Sequence, residues 1–179
     1  MNSVHSEDPV RYQAGKMPTV IFAHGKESGP SGDKILALAH VARRYDYEVE
    51  SPNFRGIDNP EERVKLLLQV AAEMKGPLIL AGSSMGAYVA LRASKKLTTL
   101  SLFLMAPAVG LPGYRVSRPV PGCKRVTIVH AWQDKIIPVR NVIDYAEQHH
   151  AELHLINSNH SLHRQIPLLT QLFERFLKN

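Results

Sequence analysis

Four runs in this chain, "TVIFAH" from Thr19, "PLILAGS" from Pro77, "LSLFLMAP" from Leu100 and "RVTIVHAW" from Arg125, are almost continuously apolar and rich in β-branched and aromatic residues. Strands that alternate apolar and polar residues face water on one side, whereas continuous runs of this length are covered on both. Between them lie longer stretches with apolar residues at helical spacing, such as Ile35, Leu36, Leu38, Ala39 and Val41 in "DKILALAHVARRY". Strand and helix in alternation predict parallel pairing with helices on both faces. The fold class is therefore α/β, a doubly wound, mostly parallel sheet of about six strands.

The element boundaries carry their own signals. Asp33 is a candidate cap for the first helix. Asn59, Pro60 and the glutamates at 61 and 62 mark the start of a second over "NPEERVKLLLQVAAEM". "YEVESPNF" supplies a short strand ending at Pro52. "MGAYVALRASKKL" and "VRNVIDYAEQHH" are further helices, and "AELHLI" is a last strand. "SLHRQIPLLTQLFERFLK" is a closing helix, with a bend expected at Pro167. The segment "AVGLPGYRVSRPVPGCK" is dense in proline and glycine and reads as a loop rather than a helical lid.

Composition narrows the function classes. With 179 residues and 44% hydrophobic content, a single domain over residues 17–179 is expected, preceded by a flexible tail over 1–16. No run reaches the roughly 20 apolar residues of a membrane span, and the polar N-terminus has no signal-peptide core. A cytoplasmic location without membrane association is expected. The net charge of +6 comes from scattered basic residues with no aromatic interleaving, which argues against nucleic-acid binding. Cys123 is the one cysteine, so neither an internal disulfide nor a cysteine-based zinc site can form, and a half-buried inert thiol is expected. No motif for a metal or organic cofactor is present. Oligomeric state is not legible.

Chemistry enters at "LILAGSSMGA", Leu78 to Ala87. Gly82-Ser83-Ser84-Met85-Gly86 fits G-x-S-x-G in one register, with Ser84 central. On a sharp strand-to-helix turn such a residue projects above the sheet from a strained backbone, and flanking glycines let the chain fold back closely. Ser84 is then the candidate nucleophile, with the Met85 amide aimed where charge develops on an attacked carbonyl. Ser83, one place back on the strand, would face the other way and support the turn. Glycine-rich turns also serve phosphate binding or simple packing, so the surrounding strand and helix matter as much as the pattern.

From Thr19 onward the chain resembles the α/β-hydrolase superfamily, whose triad runs serine, acid, histidine along the chain. By that resemblance "VTIVHAWQDKIIPV" carries the acid at Asp134, and "LHLINSNHSL" the base at His160. "VIFAHGKESG" is similar to an oxyanion loop in which the Lys26 amide joins that of Met85. His163 competes with His160 as base, but is expected inside the closing helix. His24 has an architectural reading, His130 and His154 core roles, and His149 and His150 suit a helix end as cations. Asp144 reads as a solvated helical face. The absent cap makes the chain similar to small uncapped bacterial serine esterases. That implies a small-molecule ester or thioester substrate, a shallow site walled by the Gly110–Cys123 loop, and Lys26 as nearest contact for an anionic group. Peptidase or acyltransferase activity on the same triad, or a binding protein without turnover, stays open.

Overall fold

The computed structural model describes residues 17–179, so the tail expected over 1–16 lies outside the described residues. The six strands are β1 (Thr19–Ala23), β2 (Glu48–Glu50), β3 (Leu78–Ser83), β4 (Thr99–Met105), β5 (Arg125–Ala131) and β6 (Glu152–Ile156). All neighbours pair in parallel, in the order β2-β1-β3-β4-β5-β6. The order reverses direction after β2, the point at which an open α/β sheet opens a crevice beyond its strand carboxyl ends.

Alternate side chains of each strand feed two cores. Ile21, Leu80, Leu104 and Ile128 face one layer, packed with helices α2 (Pro60–Ala72), α3 (Met85–Ser94) and α4 (Val139–Gln148). Phe22, Ile79, Phe103 and Val129 face the other, with α1 (Asp33–Arg44) and α5 (Ile166–Lys178). The second core centres on aromatic contacts of Phe173 with Phe22 at 5.8 Å and Phe103 at 5.0 Å between ring centroids.

The α2 start matches its signal: Pro60 opens the helix and Asn59 Oδ1 accepts from the Glu61 amide at 2.9 Å. Two other ends differ from expectation. Gly32, not Asp33, caps α1, and Asp33 sits inside its first turn, where a carboxylate suits the helix dipole. Pro167 does not bend a long helix. It lies in the first turn of α5, where its missing N–H removes no helical bond, and a short 3₁₀ turn over His163–Gln165 precedes it.

Residues 106–124 carry no helix or strand, so no cap covers the sheet. The loop is nonetheless pinned. Tyr145 donates to the Pro119 carbonyl at 2.5 Å, Asn141 Nδ2 to that of Gly110 at 2.9 Å, and the Gly122 amide to Ser94 Oγ at 2.9 Å. Cys123 is half-buried beneath it, and burial pushes its thiol up to about 11, outside the range of a reactive thiolate. Among the described residues no helix is long and apolar enough to cross a membrane.

Candidate active site

The carboxyl ends of β1, β3, β5 and β6 converge on one cavity of about 480 Å³. Ser84 stands between β3 and α3 with φ 56° and ψ −120°, a region that non-glycine residues rarely occupy. Two glycines permit it. A Cβ on Gly82 would fall 2.5 Å from the Gly86 carbonyl oxygen, and one on Gly86 only 2.0 Å from that of Ala23. The first turn of α3 is thereby pressed against both β3 and β1, and the serine is forced outward.

The Ser84 hydroxyl meets His160 Nε2 at 3.0 Å, and His160 Nδ1 meets Asp134 Oδ2 at 2.7 Å. The Asp134 carboxylate is wholly buried. Its Oδ1 accepts from the amides of Ile136 at 2.8 Å and Ile137 at 2.9 Å. Burial alone would raise its pKa, but the hydrogen bonds from His160 and from both amides outweigh that and hold it below the usual carboxylate range. An ionised carboxylate only accepts, so the imidazole proton sits on Nδ1 and Nε2 presents its lone pair to the serine. The arrangement can take a proton from the Ser84 oxygen.

His163 is the rival histidine and lines the same cavity, but the ring that hydrogen-bonds Ser84 is that of His160. His163 lies in the 3₁₀ turn rather than in α5, and its Nε2 pairs with Asp33 at 3.7 Å. His130 is fully buried, donates to the Ile137 carbonyl at 3.2 Å and stands 3.8 Å from Asp134. His154 pairs with Glu152, and Asp144 with Arg140. His149 closes α4, but burial lowers its pKa, against the cationic reading.

The loop after β1 is held from behind. His24 is buried and burial holds its pKa low; its Nε2 accepts from the Phe54 amide at 2.9 Å, so Nδ1–H donates to the Gly25 carbonyl at 2.8 Å. Arg63, 1% exposed, donates from Nη1 to that same carbonyl at 3.2 Å and to that of His24 at 3.4 Å. The described residues contain no cis peptide bond. In a trans peptide the N–H points opposite to the C=O, so the Lys26 amide faces away from Arg63. Sequence reasoning did not single out Arg63. The readable signal was its register: Arg63 precedes Leu67 and Ala71 by one and two turns, on the buried stripe of α2.

Further expectations change at the cavity. The Gly110–Cys123 loop contributes only Tyr114 to the described lining, while residues 24–35 supply one whole wall. A cavity of this volume is in the range of small-ligand sites. Lys26 lines the cavity, but its ammonium is exposed and pairs with Asp58 at 3.6 Å, whereas Lys34, not singled out from the sequence, lines the same cavity half-buried and donates to Ser83 Oγ at 2.9 Å. Ser83 is thus a cavity residue with its own partner rather than a support for the turn.

The fold and this geometry define an α/β hydrolase, and comparison with known proteins agrees. A hydrolase-superfamily protein from Xanthomonas campestris pv. campestris is 34% identical over 89% of this chain and 98% of its own, with a TM-score of 0.82. A lidless α/β serine hydrolase from X. campestris, 23% identical over 92% of this chain and 83% of its own, has a TM-score of 0.77. Est1E from Butyrivibrio proteoclasticus, at 15% identity over 90% and 87%, also reaches 0.77; these last two likenesses are of fold. No family model and no curated protein matches the chain. The chain belongs to the α/β hydrolase superfamily.

Proposed function

We propose that this hydrolase is a serine esterase that cleaves carboxylic ester or thioester bonds of small acyl substrates, built as a single domain over residues 17–179. The observation that carries the reading is the unbroken relay from Ser84 through His160 to Asp134, with the serine on a strained strand-to-helix turn.

In the proposed reaction Ser84 Oγ attacks the carbonyl carbon as its proton passes to His160 Nε2. Asp134 stabilises the imidazolium that forms. The tetrahedral oxyanion is held by the amides of Met85 and Lys26. Its C–O (or C–S) bond to the leaving group then breaks, and the Nε2 proton goes to the departing alcohol or thiol. A water molecule next gives a proton to Nε2 and adds to the acyl carbon. The bond to Ser84 Oγ breaks, that oxygen recovers the proton, and the carboxylic acid leaves.

A fluorophosphonate tests this, since it labels only an activated serine. Mass spectrometry should locate the adduct on Ser84, and Ser84→Ala should abolish both labelling and ester turnover. His160→Ala should also prevent labelling while His163→Ala should not. An adduct on Ser83, or labelling that depends on His163, would overturn the assignment.

A further inference from the structure

Lys34 is a half-buried cation in the cavity that the esterase mechanism does not use. It lies in the first turn of α1, and its Nζ reaches across to Ser83 Oγ at the end of β3 at 2.9 Å. Apart from that bond, the position disfavours an ammonium. The first turn of a helix presents the positive end of its dipole, which favours anions. Burial lowers the lysine pKa to about 8, and still leaves it charged at neutral pH. Among the described residues no carboxylate pairs with it, because Asp33 is turned to His163 and Asp58 to Lys26. An ammonium has three donors, and a single neutral hydroxyl occupies one. A charge held in a cavity without a counter-charge costs stability, unless something that visits the cavity supplies one.

We infer that the cavity is built for esters that carry a carboxylate, with Lys34 and the Ser83 hydroxyl binding that carboxylate beside Ser84. The inference rests on the esterase reading and names its substrate class. Adjacent serines then divide the work: Ser84 reacts, and Ser83, 7% exposed, helps to hold the substrate's charge. The bland alternative makes Lys34 a tether between α1 and β3. A tether loses stability on truncation and leaves substrate preference alone.

The test is the ratio of kcat/KM for an anionic ester to that for its neutral isostere, which cancels any change in serine reactivity. One arm puts the carboxylate on the acyl side, as mono-p-nitrophenyl glutarate against p-nitrophenyl valerate. The other puts it on the alcohol side, as the butyrate ester of 4-hydroxy-3-nitrobenzoate against o-nitrophenyl butyrate. In Lys34→Met the ratio should fall about tenfold to a hundredfold in one arm, the worth of a charge-assisted hydrogen bond, with Lys34→Arg falling less. The arm that responds identifies the side. Ratios unmoved in both arms, while wild-type Ser84 still labels with fluorophosphonate, overturn the Lys34 assignment alone. A wild-type protein that neither labels nor turns over any ester removes the esterase reading and this inference with it.

Discussion

Asp134 divides its two oxygens between two tasks, Oδ2 to His160 and Oδ1 to the amides of Ile136 and Ile137. Asp134→Asn can keep the second with its amide oxygen but must present an NH₂ to His160. The ring then adopts the tautomer protonated at Nε2, which cannot take the serine proton, and kcat should fall by roughly 10⁴ with little change in melting temperature. A loss of less than tenfold would mean that Asp134 is structural. Lys34 makes the opposite kind of prediction. Burial lowers its pKa to about 8 from the 10.5 of a free lysine, so between those values the unfolded chain holds a proton that the folded chain has released. Stability therefore rises with pH through that window, and the charged form present at pH 7 is the unfavourable one. Lys34→Met should melt at the same or a higher temperature than wild type at pH 7. The preference for a carboxylate should be present below about pH 8 and fade above it as the ammonium deprotonates. Asp33, Lys26, Glu27, His160 and His163 line the same cavity, so the decisive profile is the difference between wild type and Lys34→Met, in which their titrations cancel.

The elements that position these residues separate stability from activity. Asn59 caps α2 on its exposed side, and Asn59→Ala should cost about 1 kcal/mol, a fall of roughly 2–4 °C in melting temperature, with kcat unchanged. Gly86→Ala acts where α3 touches β1. The new methyl would sit 2.0 Å from the Ala23 carbonyl oxygen, and backbone must move to admit it. About 1–3 kcal/mol of overpacking is expected, together with a large loss of kcat because Ser84 moves with the helix. Melting and kinetics on both variants check the contrast. Much of this was legible in the sequence: the continuous apolar strands dictated a parallel sheet, and the Gly82–Gly86 pattern fixed the one register that strains Ser84. Short-range signals decided those features. Arg63 and Lys34 were not read because their roles depend on which strands their helices cross, and a charge at helical spacing carries no mark of what lies beneath it. Pro167 was misread for a smaller reason, since a proline inside an apolar periodic run looks the same whether it bends a helix or begins one.

At the scale of the whole molecule, the missing cap governs which substrates can be held. The longest connection among the described residues, 106–124, is tied to α3 and α4 by the bonds of Ser94, Asn141 and Tyr145, and by the contact of Tyr114 with Tyr88 at 4.6 Å between ring centroids. A loop held at that many points does not open and close like a lid. The rate should therefore follow substrate concentration smoothly, with no jump as esters pass from solution into micelles. The cavity of about 480 Å³ sets the other limit. While an acyl chain still fits inside, each added methylene leaves water for a contribution of about 0.8 kcal/mol, roughly fourfold in kcat/KM where that burial is realised in the transition state. Once the cavity is full, further methylenes stay in water and contribute nothing. Across p-nitrophenyl esters from acetate to palmitate, kcat/KM should climb over the short chains and then level off. A climb that continued to palmitate, or a rate that jumped at the micelle threshold, would require a tunnel or a moving lid that this arrangement of pinned loop and bounded cavity does not contain.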